Sequence, residues 1–161
     1  TGRNLARIAA RYPDCHLYGF DISSQMLRSA GRALGGRARL ARADACGFDG
    51  AAVFGRATFD RIVLSYSLSM IPDWRAALDC ALDHLAEGGQ LHIVDFGDQA
   101  RLPGWFRTGL RGWLARFHVA PRGDLSRELR AMAGRRGLRT ACGPLFRDYA
   151  QYAVVRGHGR G

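Results

Sequence analysis

Lysine is absent from this 161-residue chain, and all 24 cations are arginine. An arginine-only bias fits a GC-rich genome. No apolar run approaches the roughly 20 residues that a membrane-spanning helix needs. The first eleven residues contain no apolar core of a signal peptide. Cysteine is sparse: Cys15, Cys46, Cys80 and Cys142 lie 31, 34 and 62 residues apart. That spacing excludes a CxxC metal or redox motif, so no metal site is expected, and reduced thiols in a cytoplasmic compartment are. With 47% hydrophobic and 24% charged residues, the chain suits one folded domain rather than a disordered or collagen-like segment.

The formal charge is +10, and its placement is uneven. Residues 1–100 carry 11 Arg against 10 Asp and one Glu, whereas residues 101–161 carry 13 Arg against Asp124, Glu128 and Asp148. The whole excess therefore sits in the C-terminal part. It points to an anionic partner there, a lipid surface or a nucleic acid.

Periodicity alternates between helix and strand. Leu5, Ile8, Ala9 and Tyr12 keep helical spacing, and Pro13 stops the run. A strand is expected over His16–Phe20, ending at Asp21. Ser23 or Ser24 then caps a helix with Met26, Leu27, Ala30 and Leu34 on one face. Further strands are expected at Ala38–Arg42, Phe59–Ser65 and Gln90–Phe96, with a helix from Asp73 to Leu85 closed by Gly88-Gly89. A helix near Asp124–Ala133 and strands at Leu138–Cys142 and Tyr149–Val155 follow. This pattern predicts a doubly wound, Rossmann-like α/β fold, its mainly parallel sheet ending in an antiparallel C-terminal edge. One domain over residues 1–161 is expected. The strand that should precede the first helix is not in this chain, which begins inside the turn, so low stability or activity is expected of it as it stands.

Three strand-end signals carry chemistry. Thr1-Gly2 reads as the tail of a glycine-rich loop that lets a ligand approach a helix N-terminus. Asp21 follows Gly2 by 19 residues, a spacing suited to a carboxylate that accepts from ribose hydroxyls. Its plainer role is helix capping. Asp44 ends the next strand, where its carboxylate suits an adenine amino group while the Ala45 backbone donates to the ring.

TGRNL, YGFDISSQML, ARADACGF, FDRIVLSYSLSMIPDW and LAEGGQLHIVDFG resemble the ordered motifs of class I S-adenosylmethionine-dependent methyltransferases. The resemblance implies that Thr1 and Gly2 border the methionine part of the cofactor. It places Asp21 on the ribose, Ile22 and Met26 against the adenosine, Asp44 and Ala45 on the adenine, and Ser65 and Tyr66 beside the methyl group. SYSLSMIPDW, with VDFGDQARLPGWFRTGLRGWLARFHVAPR, is similar to the methyltransferase of bacterial betaine-lipid synthesis. That likeness implies three N-methylations of diacylglyceryl-homoserine.

Residues 101–120 read as a basic, aromatic, amphipathic insertion. Leu102, Trp105, Phe106, Leu110, Trp113, Leu114 and Phe117 keep helical spacing, with Arg107 and Arg111 opposite. Trp and Phe opposed to Arg is the composition of a helix lying in a membrane interface, although it also suits packing on a protein core. Peripheral attachment to the inner face of the membrane follows as an expectation. Tyr66, Met70, Trp74, His118, Tyr149 and Tyr152 are the candidate substrate contacts, because aromatic faces hold a methylated ammonium that has lost its N–H donors. His92 reads as a core histidine. No residue stands out as a general base; Tyr66 and His118 are the candidates for assistance through water. The alternatives are a quinone or other small-molecule methyltransferase, an RNA methyltransferase and an inactive fragment. The RNA reading is the weaker, since Ser65-Tyr66-Ser67-Leu68 is not an NPPY-like motif.

Overall fold

The structure is a computed structural model that describes residues 2–99, 104, 105, 108, 109, 116 and 119–157. The chain divides into two compact units, Thr1–Ala57 and Thr58–Gly161.

The first unit runs α1 (Arg3–Arg11), β1 (Leu17–Asp21), α2 (Ser24–Leu34), β2 (Ala38–Arg42) and α3 (Gly50–Phe54). Strands β1 and β2 pair in parallel, Leu17 against Ala38 through Asp21 against Arg42. Side chains alternate along β1. Gly19 faces the helices, where a Cβ would stand 2.7 Å from the Leu5 side chain. Tyr18 and Phe20 take the other face, with ring centroids 5.1 Å from Phe54 and 4.4 Å from Phe48 respectively. Helix α2 starts where the sequence expects, at N-cap Ser23, whose hydroxyl accepts from the Met26 N–H at 3.3 Å. Helix α3 is not expected from the sequence. Its cap is Asp49, which accepts from the Ala51 and Ala52 N–H groups.

The second unit runs β3 (Phe59–Ser65), a 3₁₀ turn (Leu68–Met70), α4 (Trp74–Asp83), β4 (Leu85–Phe96), α5 (Leu125–Arg135), β5 (Arg139–Leu145) and β6 (Ala150–Arg156). Its sheet has the order β3-β4-β6-β5, parallel between β3 and β4 and antiparallel at the other two pairs. The expected α/β pattern with an antiparallel C-terminal edge is therefore present. Pro144 lies in β5, a sheet-edge strand, where a missing N–H is tolerated. One sheet face is dry. Leu91, Ile93, Ala153 and Val155 are at most 1% exposed. Leu78 and Leu82 of α4 and Leu125, Leu129 and Ala133 of α5 are buried too, at most 4% exposed.

The largest boundary difference lies between α4 and β4, and β5 ends at Leu145 rather than Cys142. Helix α4 ends at Asp83 rather than Leu85, and Gly88-Gly89 lies inside β4. The Phe59 N–H donates to the His84 carbonyl at 2.8 Å and draws the chain into the sheet early. Pairing then jumps from Phe59–Leu85 to Arg61–Gln90, a bulge that Gly88 accommodates at φ 68°.

Candidate active site

In the first unit, the parallel pairing brings Asp21 and Asp44 to the same end of β1 and β2. The Ala43 N–H donates to the Asp21 carbonyl at 3.3 Å, so Asp44 follows directly on the last rung. Both carboxylates are used alike. Asp21 Oδ1 accepts from the Ser23 N–H at 2.8 Å, and Asp44 Oδ1 accepts from the Cys46 N–H at 2.9 Å. These short turns fix each carboxylate and leave its second oxygen for a ligand. Ile22, between Asp21 and the α2 cap, is 64% exposed, which is unusual for isoleucine. Met26 is half-buried one turn into α2, and Ala45 is half-buried beside the exposed Asp44. Gly2 sits at φ 76°, and a Cβ there would stand 2.9 Å from the Ala30 backbone. Only glycine fits that approach to α2. Thr1 lies outside the described residues.

In the second unit, Tyr66 leaves β3 in the left-handed region at φ 51°, with its N–H donated to the Val94 carbonyl at 2.7 Å. A bulky residue is strained there, and such residues gather at functional sites. Its ring meets Phe96 at 5.0 Å, and Phe96 meets Tyr149 at 5.8 Å, both edge-on. Met70 stands 59% exposed on the adjoining 3₁₀ turn. Ser65, Tyr66, Met70 and Tyr149 are thus grouped around the ends of β3 and β4.

Two expected substrate contacts pack against the protein itself. Trp74 is 3% exposed, with the Arg75 and Arg122 guanidiniums at 4.4 and 5.8 Å from its ring. Its face is already occupied, so it serves the core. Tyr152 opposes Val94 but lies over Gly143 of β5, where a Cβ would stand 2.7 Å from its ring. Its ring is therefore turned toward β5. His92 is half-buried rather than core, with Nε2 3.1 Å from Gln90 Oε1. His118, Phe106, Arg107, Arg111 and Trp113 lie outside the described residues. Trp105 is helical and 79% exposed.

A hydrogen-bonded frame that the sequence pattern does not announce fixes the Leu68–Ile71 segment. Asp95 is fully buried. Its Oδ2 accepts from the Ser69 N–H at 3.1 Å and its Oδ1 from the Phe96 N–H at 2.8 Å. Arg122 donates from Nε to the Leu68 carbonyl at 3.2 Å and from Nη2 to the Ile71 carbonyl at 2.8 Å. Gln151 Nε2 donates to the Phe96 and Arg122 carbonyls at 3.0 and 2.7 Å. The Ala120 N–H donates to the Ser69 carbonyl at 2.8 Å. The only sequence signal is Asp95 itself, an acid at an inward position after Leu91 and Ile93.

The sequence matches the methyltransferase domain family over residues 1–91. The chain belongs to that family. It is a class I, S-adenosylmethionine-dependent methyltransferase. Solved structures of this fold include the plantazolicin methyltransferase BpumL, with a triazolic desmethylPZN analog and SAH. It is similar at TM-score 0.78 and 15% identity over 99% of this chain and 73% of that one. The N-methyltransferase NodS from Bradyrhizobium japonicum WM9, with S-adenosyl-l-homocysteine, is similar at TM-score 0.66 and 21% identity over 97% and 72%. No curated protein matches the sequence.

The electrostatics of this methyltransferase set the protonation state of Tyr66. Burial first, then Tyr149 and the Asp95 carboxylate, hold the Tyr66 hydroxyl above the usual tyrosine range. Tyr66 stays protonated at neutral pH and is a donor, not a general base. Among the described residues, no group of three His, Cys, Asp or Glu is placed to hold a metal ion.

A close backbone approach follows the end of β4. A Cβ at Gly97 would stand 2.3 Å from the Asp148 carbonyl oxygen. Gly97→Ala must push two chain segments apart, and overpacking of this kind costs about 1–3 kcal/mol. A thermal melt is expected to show the loss, whereas Gly134→Ala on α5, with open space around it, leaves the midpoint in place or raises it.

Proposed function

We propose that this methyltransferase moves the methyl group of S-adenosylmethionine to the amine of a lipid headgroup, converting diacylglyceryl-homoserine to the trimethyl betaine lipid. The Tyr66–Phe96–Tyr149 group carries the reading. Three rings at the strand ends, with Met70 exposed nearby, suit an ammonium that loses its N–H donors as methylation proceeds. The sequence resemblance to the betaine-lipid enzyme supports the same substrate.

The strand-end residues fit the cofactor. Asp21 offers an oxygen to ribose hydroxyls, Asp44 offers one to the adenine amino group, and exposed Ile22 offers an apolar wall to adenosine. When bound, the cofactor supplies a methyl group on a positively charged sulfur. The residues of this chain act by positioning. Methyl transfer requires a neutral amine with its lone pair aimed at that methyl carbon. Protonated Tyr66 can donate a hydrogen bond to the headgroup, and the frame around Asp95 and Arg122 keeps it in place.

The exposed Trp105 and the arginine excess after residue 100 support attachment to an anionic bilayer at the cytoplasmic face of the membrane. No helix among the described residues is long and apolar enough to cross one. Each Arg near such a surface contributes about 1 kcal/mol, screened by salt. The protein is expected to cosediment with vesicles containing anionic lipid, less so at high salt. Trp105→Ala with Trp113→Ala is expected to weaken that binding, and to lower activity on the lipid more than on a short-chain soluble analogue. Unchanged vesicle binding in the double variant, or equal competition by structured RNA, would refute the membrane reading.

A further inference from the structure

The face of the second unit's sheet that points away from α4 and α5 carries an uncommon row. Arg61 on β3 is in register with Gln90 on β4, Gln90 with Arg156 on β6, and Arg156 with Arg139 on β5. Residues in register share a face, so these four side chains rise from one line across all four strands. The three arginines are exposed. Among the described residues none of them is ion-paired with a carboxylate. The Arg61 guanidinium donates only to its neighbour's carbonyl, at Asp60.

The arrangement is costly without an anion. Arg139 and Arg156 are directly opposite in an antiparallel pair, where like charges repel. Some arginines elsewhere in this unit meet carboxylates. Arg75 meets Asp124 and Glu128, and Arg136 meets Asp79 and Asp83 at 2.9 and 2.7 Å. One rung along β4, burial first and then the fields of Arg61 and Arg156 hold the His92 ring below the usual histidine range. His92 is therefore a neutral donor at physiological pH, bonded to Gln90.

We propose that the Arg61–Gln90–Arg156–Arg139 row is a binding site for a phosphate group, distinct from the strand-end site. Neighbouring strands are about 4.8 Å apart, so the three spacings of the row span about 14 Å. That is too wide for one carboxylate to engage all three guanidiniums with the side chains upright. It suits a phosphate or diphosphate over Gln90 and Arg156, with Arg139 and Arg61 closing from either side. Guanidinium forks match phosphate oxygens two at a time. The row lies four rungs from Ser65 and Val94, toward the opposite end of the strands, so its ligand is not the methyl acceptor.

The phosphate can belong to a soluble molecule or to a lipid headgroup, and the test separates the two. Inorganic pyrophosphate is titrated into the protein by calorimetry. In parallel, the protein is sedimented with phosphatidylcholine vesicles with and without phosphatidic acid. The variant replaces Arg61, Arg139 and Arg156 by Gln. The control replaces Arg130, Arg135 and Arg147, exposed arginines elsewhere in the unit, and so loses the same charge. The row variant is expected to lose at least about tenfold in affinity for the probe that binds, the control less than about threefold. His92 is expected to titrate at higher pH when the probe is bound. Pyrophosphate binding alone identifies a soluble phosphate ligand, and binding only to phosphatidic acid identifies a headgroup. If neither probe binds the parent, or if row and control variants weaken equally, the site does not exist. If only an oligonucleotide binds in a row-dependent way, the ligand is a nucleic acid and the proposal is wrong.

Discussion

Asp21→Ala is expected to weaken S-adenosylmethionine binding by about 10- to 150-fold, the equivalent of one charged hydrogen bond at about 1.5–3 kcal/mol. The geometry makes the expectation specific. One carboxylate oxygen is engaged by the Ser23 N–H at 2.8 Å, so only the other is left for ribose. Asp21→Asn separates the two roles. Its side-chain carbonyl can still accept from Ser23 and keep the turn, while the charge and the second acceptor are lost. The asparagine variant should therefore keep the melting temperature of the parent yet bind cofactor almost as poorly as the alanine variant. Calorimetry with S-adenosylhomocysteine reads the affinity. An Asp21→Asn protein that binds at parental strength would reduce Asp21 to a helix cap. Asp44→Asn, with the same local bond to Cys46, is expected to follow the pattern with a smaller loss, because an adenine amino group is a neutral donor.

The features legible in the sequence are those set by neighbours in the chain. Ser23 caps α2 because its hydroxyl reaches an N–H three residues on, and Pro13 prevents α1 from continuing. Asp21 and Asp44 are readable as strand ends because apolar runs stop there. Apolar periodicity also locates β3, α5 and the core of β4 to within two residues at most ends. What fails depends on distant partners. Gly88-Gly89 has the composition of a helix stop, yet pairing with Phe59 turns it into a bulge. Trp74 reads as a substrate aromatic, but Arg122, far along the chain, covers its ring. The acceptor-side frame joins Ser69, Asp95, Arg122 and Gln151 across four elements and loops, and no local pattern announces such a set. Alternation does place Asp95 beside Leu91 and Ile93 on the inward face. A carboxylate at that position is the one visible sign that the strand end holds more than core.

Asp95 is where the second large effect is expected. Both of its oxygens accept from backbone N–H groups, that of buried Ser69 and that of half-buried Phe96, and none of the ion pairs found among the described residues includes it. Leaving a buried donor unpaired costs about 1–3 kcal/mol, so Asp95→Ala is expected to lose at least that from the Ser69 N–H alone. Asparagine is not conservative here. It offers one acceptor where two are required, and its amide nitrogen would face a donor, so a loss of about 1–3 kcal/mol is expected from Asp95→Asn. Denaturant melts measure both. The folded fraction of Asp95→Asn carries a second, independent readout. Asp95 is one of the groups that raise the Tyr66 hydroxyl, so removing its charge should bring Tyr66 back toward the ordinary tyrosine range. A tyrosine titration followed by absorbance detects that change. Methyl transfer should fall more than cofactor binding, because the Leu68–Ile71 turn loosens on the acceptor side while Asp21 and Asp44 are untouched. Equal stability of the parent and Asp95→Asn would mean that the Ser69 bond contributes nothing. An unchanged Tyr66 titration would mean that the carboxylate does not reach the ring that presents the acceptor.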